Sequence, residues 1–238
     1  MIGADLHIHT CLSPCGSLEM SPAAIVEGAR RAGLRLIAVC DHNSSANCRA
    51  VAELAAEAGI AVIPGMEVTS QEEAHILTLC PSLELAEEFS NFIYSHLPDI
   101  ENDPIRFGDQ VIVDSRGEIL GEVDKYLGMA TDLTVDEILE EGHSRGALII
   151  PSHIDRPYAG LIAQLGFLPP LDFDGVEVAW ERNLASAGRY TPLASSDAHI
   201  PELIGTKKSI LLEAEDACFK ALVQALGSGK IDRSYSDS

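Results

Sequence analysis

The stretch DLHIHTCLSPCG places two histidines, His7 and His9, one residue apart behind an aspartate and just ahead of two cysteines, Cys11 and Cys15. On an extended strand, residues two apart face the same side. His7 and His9 can therefore hold one ion together, and imidazole with carboxylate is a ligand set used for zinc, manganese and iron. The same residue types return further along. Asp41 and His42 follow the apolar run RLIAVC, Glu67 closes IPGMEV, His153 closes ALIIPSH, and Asp197 and His199 close PLASSDAH. His75 instead opens HILTLC, next to the Glu67 segment.

A single histidine at a strand end is more often a hydrogen-bonded bystander than a ligand. Six of the eight histidines at the edges of predicted strands are harder to explain that way. His96 in IYSHLP and His143 in EEGHSRG lie on helical stretches and keep the bystander reading. Asp5 is expected to orient a neighbouring histidine or to cap the strand end. Other chemistries find less support. GHSRG at 142–146 matches G-x-S-x-G only on a helical stretch, not at a strand-to-helix elbow, and there is no G-x-x-x-x-G-K-[ST] loop. Cys11 and Cys15 lack the C-x-x-C redox spacing, and no second cysteine pair completes a zinc knot.

The elements that must carry these residues are short apolar runs alternating with helical patterns. ADLHIH, LRLIAVC, AVIPGMEV, AHILTLC, ALIIPSH, GVEVAW, PLASSDAH and KSILLE read as strands, mostly continuous apolar runs of the kind covered on both faces. Between them SPAAIVEGARRAG has Ser21 as an N-cap, Pro22 at the first helical position and Gly33 past the end. ANCRAVAELAAEAG, ELAEEFSNFIYSHL, TVDEILEEGHSRG and AEDACFKALVQALG also read as amphipathic helices. Repeated strand–helix units imply a parallel sheet, and seven or eight of them in one chain of 238 residues favour an α/β barrel. In such a barrel the C-terminal strand ends meet at one mouth, which is where the histidines and carboxylates would converge. Residues 98–126 interrupt the alternation. Their VIVDSRGEIL core predicts a hairpin turning at Gly117, a small inserted flap in a single barrel domain over 1–238. The tail DRSYSDS is polar and expected to fray.

The net charge of -21 argues against a large nucleic-acid or membrane-binding face. It leaves room for an anionic substrate, because bound divalent cations can reverse the field within one pocket. The start MIGADLHIHT lacks the pattern of a signal peptide, and no apolar run is long enough for a bilayer. Six scattered cysteines in such a chain are expected to be reduced thiols of a cytoplasmic protein, with Cys40 and Cys80 packed in the core.

DLHIHT, DH, the glutamate of IPGMEV, SHIDRP and SSDAH, in that order, resemble the motifs of the PHP family, the polymerase and histidinol phosphatase domains. The resemblance implies a distorted (β/α)7 TIM-like barrel, two or three divalent ions (zinc, manganese or iron) and phosphoester hydrolysis. Carried over residue by residue, it implies that His7, His9, Glu67 and Asp197 hold one ion. Glu67 then bridges to a second held by His75 and His153, and His42 and His199 serve a third. Many relatives carry His or Asp after the first motif, where this chain has SPCGS; Cys15 is the nearest match. It is either a thiolate ligand completing the third site or a thiol packed under the turn, with Cys11 a packing residue.

On this reading two close ions clamp a phosphate and supply a bridging hydroxide at neutral pH. Glu67, Asp197 and Arg156 are the catalytic candidates. Arg156 either clamps a non-bridging oxygen or forms a surface salt bridge. Asp197 or a nearby histidine protonates the leaving oxygen. Small phosphomonoesters of the nucleotide or histidinol-phosphate type are the expected substrates, with no long nucleic acid; Trp180 either stacks on a base or packs. The alternatives are a nucleotide or short-oligonucleotide phosphodiesterase and a non-catalytic metal-binding domain. A metal-dependent amidohydrolase would carry a lysine at a strand end, whereas Lys207 and Lys208 begin one.

Overall fold

The computed structural model describes residues 1–235. β1 (Ile2–Ile8), β2 (Leu36–Val39) and β3 (Ala61–Thr69) run parallel, joined by α1 (Pro22–Arg31) and α2 (Cys48–Glu57). Ser21 caps α1 by accepting from the Ala24 amide, and Pro22 opens the helix. β4 (His75–Leu79) then returns antiparallel to β3, so the expectation of an all-parallel barrel fails here. The short 70–74 turn is the reason: it leaves no length for a crossover helix. The reversal brings the first residue of β4, His75, to the end of β3 that carries Glu67.

α3 (Leu83–Ser95) leads into the segment of α4 (Pro104–Phe107) and the hairpin β5 (Val111–Val113) and β6 (Ile119–Glu122). After α5 (Val135–Ser144), opened by a Thr134–Glu137 capping box, come β7 (Leu148–Pro151), α6 (Leu161–Leu165), β8 (Val176–Glu177) and β9 (Pro192–Leu193). Seven staves β1–β2–β3–β4–β7–β8–β9 complete the ring. Asp174 and Ile149, and Ile154 and Glu177, tie β7 to β8 through single backbone hydrogen bonds. Ala198 bridges back to Ile8 of β1. The ring is a distorted barrel because two of its seams are such isolated contacts rather than ladders.

β10 (Lys207–Leu211) pairs antiparallel with the first half of β1, outside the ring, and β11 (Ile231–Tyr235) pairs with β10 after α7 (Phe219–Ser228). KSILLE is therefore not a barrel stave. Most of the tail expected to fray is β11: Ile231 is buried and the Tyr235 hydroxyl donates to the Val178 carbonyl. Residues 236–238 lie outside the described residues.

The pairing of β1 with β2 slips between Asp5 and Ile8. Ala4 and Leu6 pack with α7 in one apolar cluster, whereas Ile8 packs against α1 and α2 in another. Such an irregularity re-aims side chains, here His7 and His9 together, into the mouth. The hairpin segment sits beside that mouth. Val111 and Val113 pack on Cys11, and the Asn47 side chain pairs both the Val111 carbonyl and the Val113 amide as a further strand would. Gly108 passes Pro14 so closely that a Cβ there would stand 2.1 Å from its carbonyl oxygen.

Candidate metal centre

His7 and His9 are fully buried, and the partners of their Nδ1 atoms settle where their protons sit. Asp41 accepts from the Thr10 amide, the Thr10 hydroxyl and the Ser13 hydroxyl. Ser13 has one proton, and it is spent on Asp41, so the serine oxygen must accept from His9 Nδ1, 2.9 Å away. His7 Nδ1 lies 3.1 Å from Glu177 Oε2 and donates to that carboxylate. Both imidazoles thus turn Nε2 inward, and the two Nε2 atoms face each other at 3.0 Å.

Into the same gap come Glu67 and Asp197. His7 Nε2 is 3.3 Å from Glu67 Oε1 and 3.3 Å from Asp197 Oδ1, and His9 Nε2 is 3.1 Å from Asp197 Oδ1. Asp197 Oδ1 is buried without a hydrogen-bond partner. Acceptors pointing at one another across these distances suit a shared cation, since ligand atoms about 2.1 Å from one centre stand about this far apart. The electrostatics agree. Burial opposes a charge on His7, yet Glu67, Asp197 and Glu177 raise its pKa well above the imidazole norm. Burial and the neighbouring His199 push His9 down to about 4. The three carboxylates thus favour positive charge at His7, while His9 stays neutral.

The structure brings together every histidine expected at the mouth. Three groups have ligand atoms close enough to share an ion: His7, His9, Glu67 and Asp197; His42, Glu67 and His75; and His9, His42 and His199. Glu67 belongs to two of them, with Oε1 3.1 Å from His75 Nδ1 and Oε2 3.2 Å from His42 Nδ1. His153 Nε2 also reaches Glu67 Oε1, at 3.1 Å. One partition differs from expectation. His42 stands by Glu67 and His75 as well as by His199, because its bridge to Glu67 continues the β2–β3 pairing beyond the strands. Buried Nδ1 atoms of His42, His75 and His153 have no hydrogen-bond partner.

Cys15 is exposed as a residue, with Sγ 3.2 Å from His42 Nε2. Cys11 is a packing residue, buried against Val111 and Val113. Arg156 donates to Asp197 Oδ2, an ion pair at the mouth rather than on the open surface. It lines a pocket of about 420 Å³ with Tyr158, Trp180, His75, His153 and His199. His153 and Asp197 have positive φ, 27° and 53°, the kind of backbone strain that gathers at functional sites. His96 and His143 pair with Asp132 and Asp174 elsewhere.

Two neighbours escaped the sequence reading. Glu177 gave one signal, a lone carboxylate inside the apolar run GVEVAW, and Ser13 gave none. Asp41 was read as half of DH, without its place behind Ser13. Asp5 does not orient a histidine: it accepts from the Ser196 and Gly205 amides, tying down the loop that carries Asp197. Burial pushes its carboxyl up to about 6.

A barrel whose polar strand ends gather round a cation-sized gap is built to hold metal ions at its mouth. The PHP domain model matches residues 5–144, and the chain belongs to the PHP domain family. No curated protein matches it. Among solved structures it is similar to a lesion-specific endonuclease from Pyrococcus furiosus, with a TM-score of 0.69 and 21% identity over 98% of this chain. This chain spans 57% of that endonuclease. An amidohydrolase from Chromobacterium violaceum with bound sulfate gives a TM-score of 0.60 at 18% identity, over 97% of both chains. A proposed metal-dependent phosphoesterase from Bifidobacterium adolescentis gives 0.57 at 20% identity, over 96% of both. At these identities the likenesses establish a shared fold. Among the described residues, no helix is long and apolar enough to cross a membrane.

Proposed function

We propose that the chain is a metal-dependent phosphoesterase that hydrolyses small phosphomonoesters of the nucleotide or histidinol-phosphate type. The observation that carries this reading is the acceptor-lined gap among His7, His9, Glu67 and Asp197, opening on a pocket with the Arg156 guanidinium in its wall. His7, His9, Glu67 and Asp197 would hold one ion, and Glu67 would share a second with His75 and His153. His42 and His199, with Cys15, would hold a third. Bound divalent ions lower the pKa of water and offset the charge of phosphoryl oxygens.

The chain's own residues do the rest. Arg156 keeps donors free beyond its pair with Asp197 and presents them to a non-bridging oxygen. Asp197, paired with Arg156 and held as the carboxylate, leaves the proton for the leaving oxygen to a nearby histidine such as His199. The pocket volume and the acidic surface favour a small substrate over a long polyanion. Zinc, manganese and iron all suit the imidazole–carboxylate set. Six free cysteines support a cytoplasmic, reducing setting.

The likeness to a lesion-specific endonuclease over 98% of this chain favours a second reading, cleavage of phosphodiesters in nucleic acid. A screen of nucleotides, sugar phosphates, short oligonucleotides and lesion-bearing duplex DNA, with Mn²⁺ or Zn²⁺ added, separates the two. Turnover of monoesters alone is the expected result. Turnover of DNA alone moves the chain to the second reading, and no turnover by metal-loaded protein makes it a binding domain.

A further inference from the structure

Glu177, at the end of β8, belongs to none of the three ligand groups, yet it is 1% exposed and faces two of the candidate ligands. Its oxygens lie 3.3 and 3.1 Å from His7 Nδ1. Its Oε1 also accepts from the His153 backbone N–H at 3.1 Å. His153 has the left-handed φ of 27°, which a β-carbon disfavours, so something must hold that backbone. His9 has a comparable backing at one remove, through Ser13 to Asp41. Ser13 joins the His9 imidazole to the His42 backbone N–H in the same way, and Glu177 is the carboxylate that reaches one imidazole directly and the backbone of another.

We propose that Glu177 is the positioning residue for two ion sites at once. It fixes the Nδ1–H tautomer of His7, which leaves the Nε2 lone pair for the first ion, and it holds the His153 backbone whose imidazole serves the second. Partners of this kind orient a ligand histidine and raise its basicity. The proposal rests on the metal-centre reading above. Its competitor is a buried carboxylate that does no more than pair with a His7 imidazolium and add stability.

The test is Zn²⁺ binding to metal-free protein, measured against a chromophoric chelator, for wild type, Glu177→Gln and Glu177→Ala. Glu177→Ala is expected to weaken binding about 10- to 100-fold. Glu177→Gln, whose amide oxygen can still accept from both donors, is expected to weaken it less. A ¹⁵N spectrum of the histidine rings in zinc-loaded wild type is expected to show His7 protonated at Nδ1. Wild-type affinity in a folded Glu177→Ala variant overturns the proposal and leaves a structural carboxylate. His7 protonated at Nε2 overturns it too, and that measurement decides the case where the alanine variant does not fold. Wild type that binds no zinc overturns the metal-centre reading together with the proposal.

Discussion

The β1 wall of the site and the rim opposite it hold their imidazoles in different ways. On the wall, His7 and His9 have no exposure, and each Nδ1 is engaged, by Glu177 and by Ser13. On the rim, the side chains of His75 and His199 are 20% and 26% exposed, His42 and His75 turn Nδ1 toward Glu67, and the far nitrogen of His153, Nδ1, has no hydrogen-bond partner. A ligand whose tautomer and rotamer are fixed beforehand spends little free energy on ordering when an ion arrives. On the proposed reading the wall would be the pre-ordered part of the centre, and the rim the part that opens to the substrate. Glu67 joins the two, since its oxygens reach His7 and His9 on one side and His42, His75 and His153 on the other.

The largest expected effect comes from cutting that join. Glu67→Gln should lower kcat/KM about 10³-fold or more, on the scale of losing a central catalytic group, with near-UV circular dichroism preserved. Near wild-type hydrolysis would mean that wall and rim do not work through Glu67.

Next in size is Arg156→Ala. Loss of a charge-assisted hydrogen bond to the substrate should lower kcat/KM about 10- to 100-fold. The ion count should stay unchanged, because Arg156 touches Asp197 Oδ2 and not the oxygen facing the histidines. Unaltered kinetics would reduce Arg156 to a salt bridge.

Cys15→Ser probes the rim alone. If the thiol beside His42 is a ligand, one ion per chain should be lost while the wall ions remain, as read by elemental analysis. Unchanged stoichiometry would give the third site to histidine and water. The smallest effect is expected from replacing residues 111–122 by a short Gly-Ser linker. Relative rates on small and large phosphoesters should shift by about tenfold or less, with ion content kept, as when a loop bordering a site is trimmed. Equal rates on both would leave the hairpin without a role in access.

The wall was legible in the sequence because its signal is local. Two residues apart on extended chain share a face, and His7 lies on β1 with His9 directly after its last residue. The convergence of Glu67, His153 and Asp197 was legible too, since barrel topology gathers strand ends. The direction of β4 was not, because the turn at 70–74 reverses the chain where alternation implied a crossover. Nor was β11, whose polar residues pair with β10 at the sheet edge and bury only Ile231. Glu177 and Ser13 stayed hidden for another reason. They act through nitrogen atoms on the far side of the ligand rings, and one sequence carries no spacing rule for such partners.

The most direct test of the whole account is elemental analysis of protein purified without chelator, repeated after reconstitution with Zn²⁺ or Mn²⁺. At least two transition-metal ions per chain are expected, one for the wall and one shared with the rim through Glu67. Less than one ion per chain, even after reconstitution, would contradict the metal centre and the phosphoesterase reading built on it.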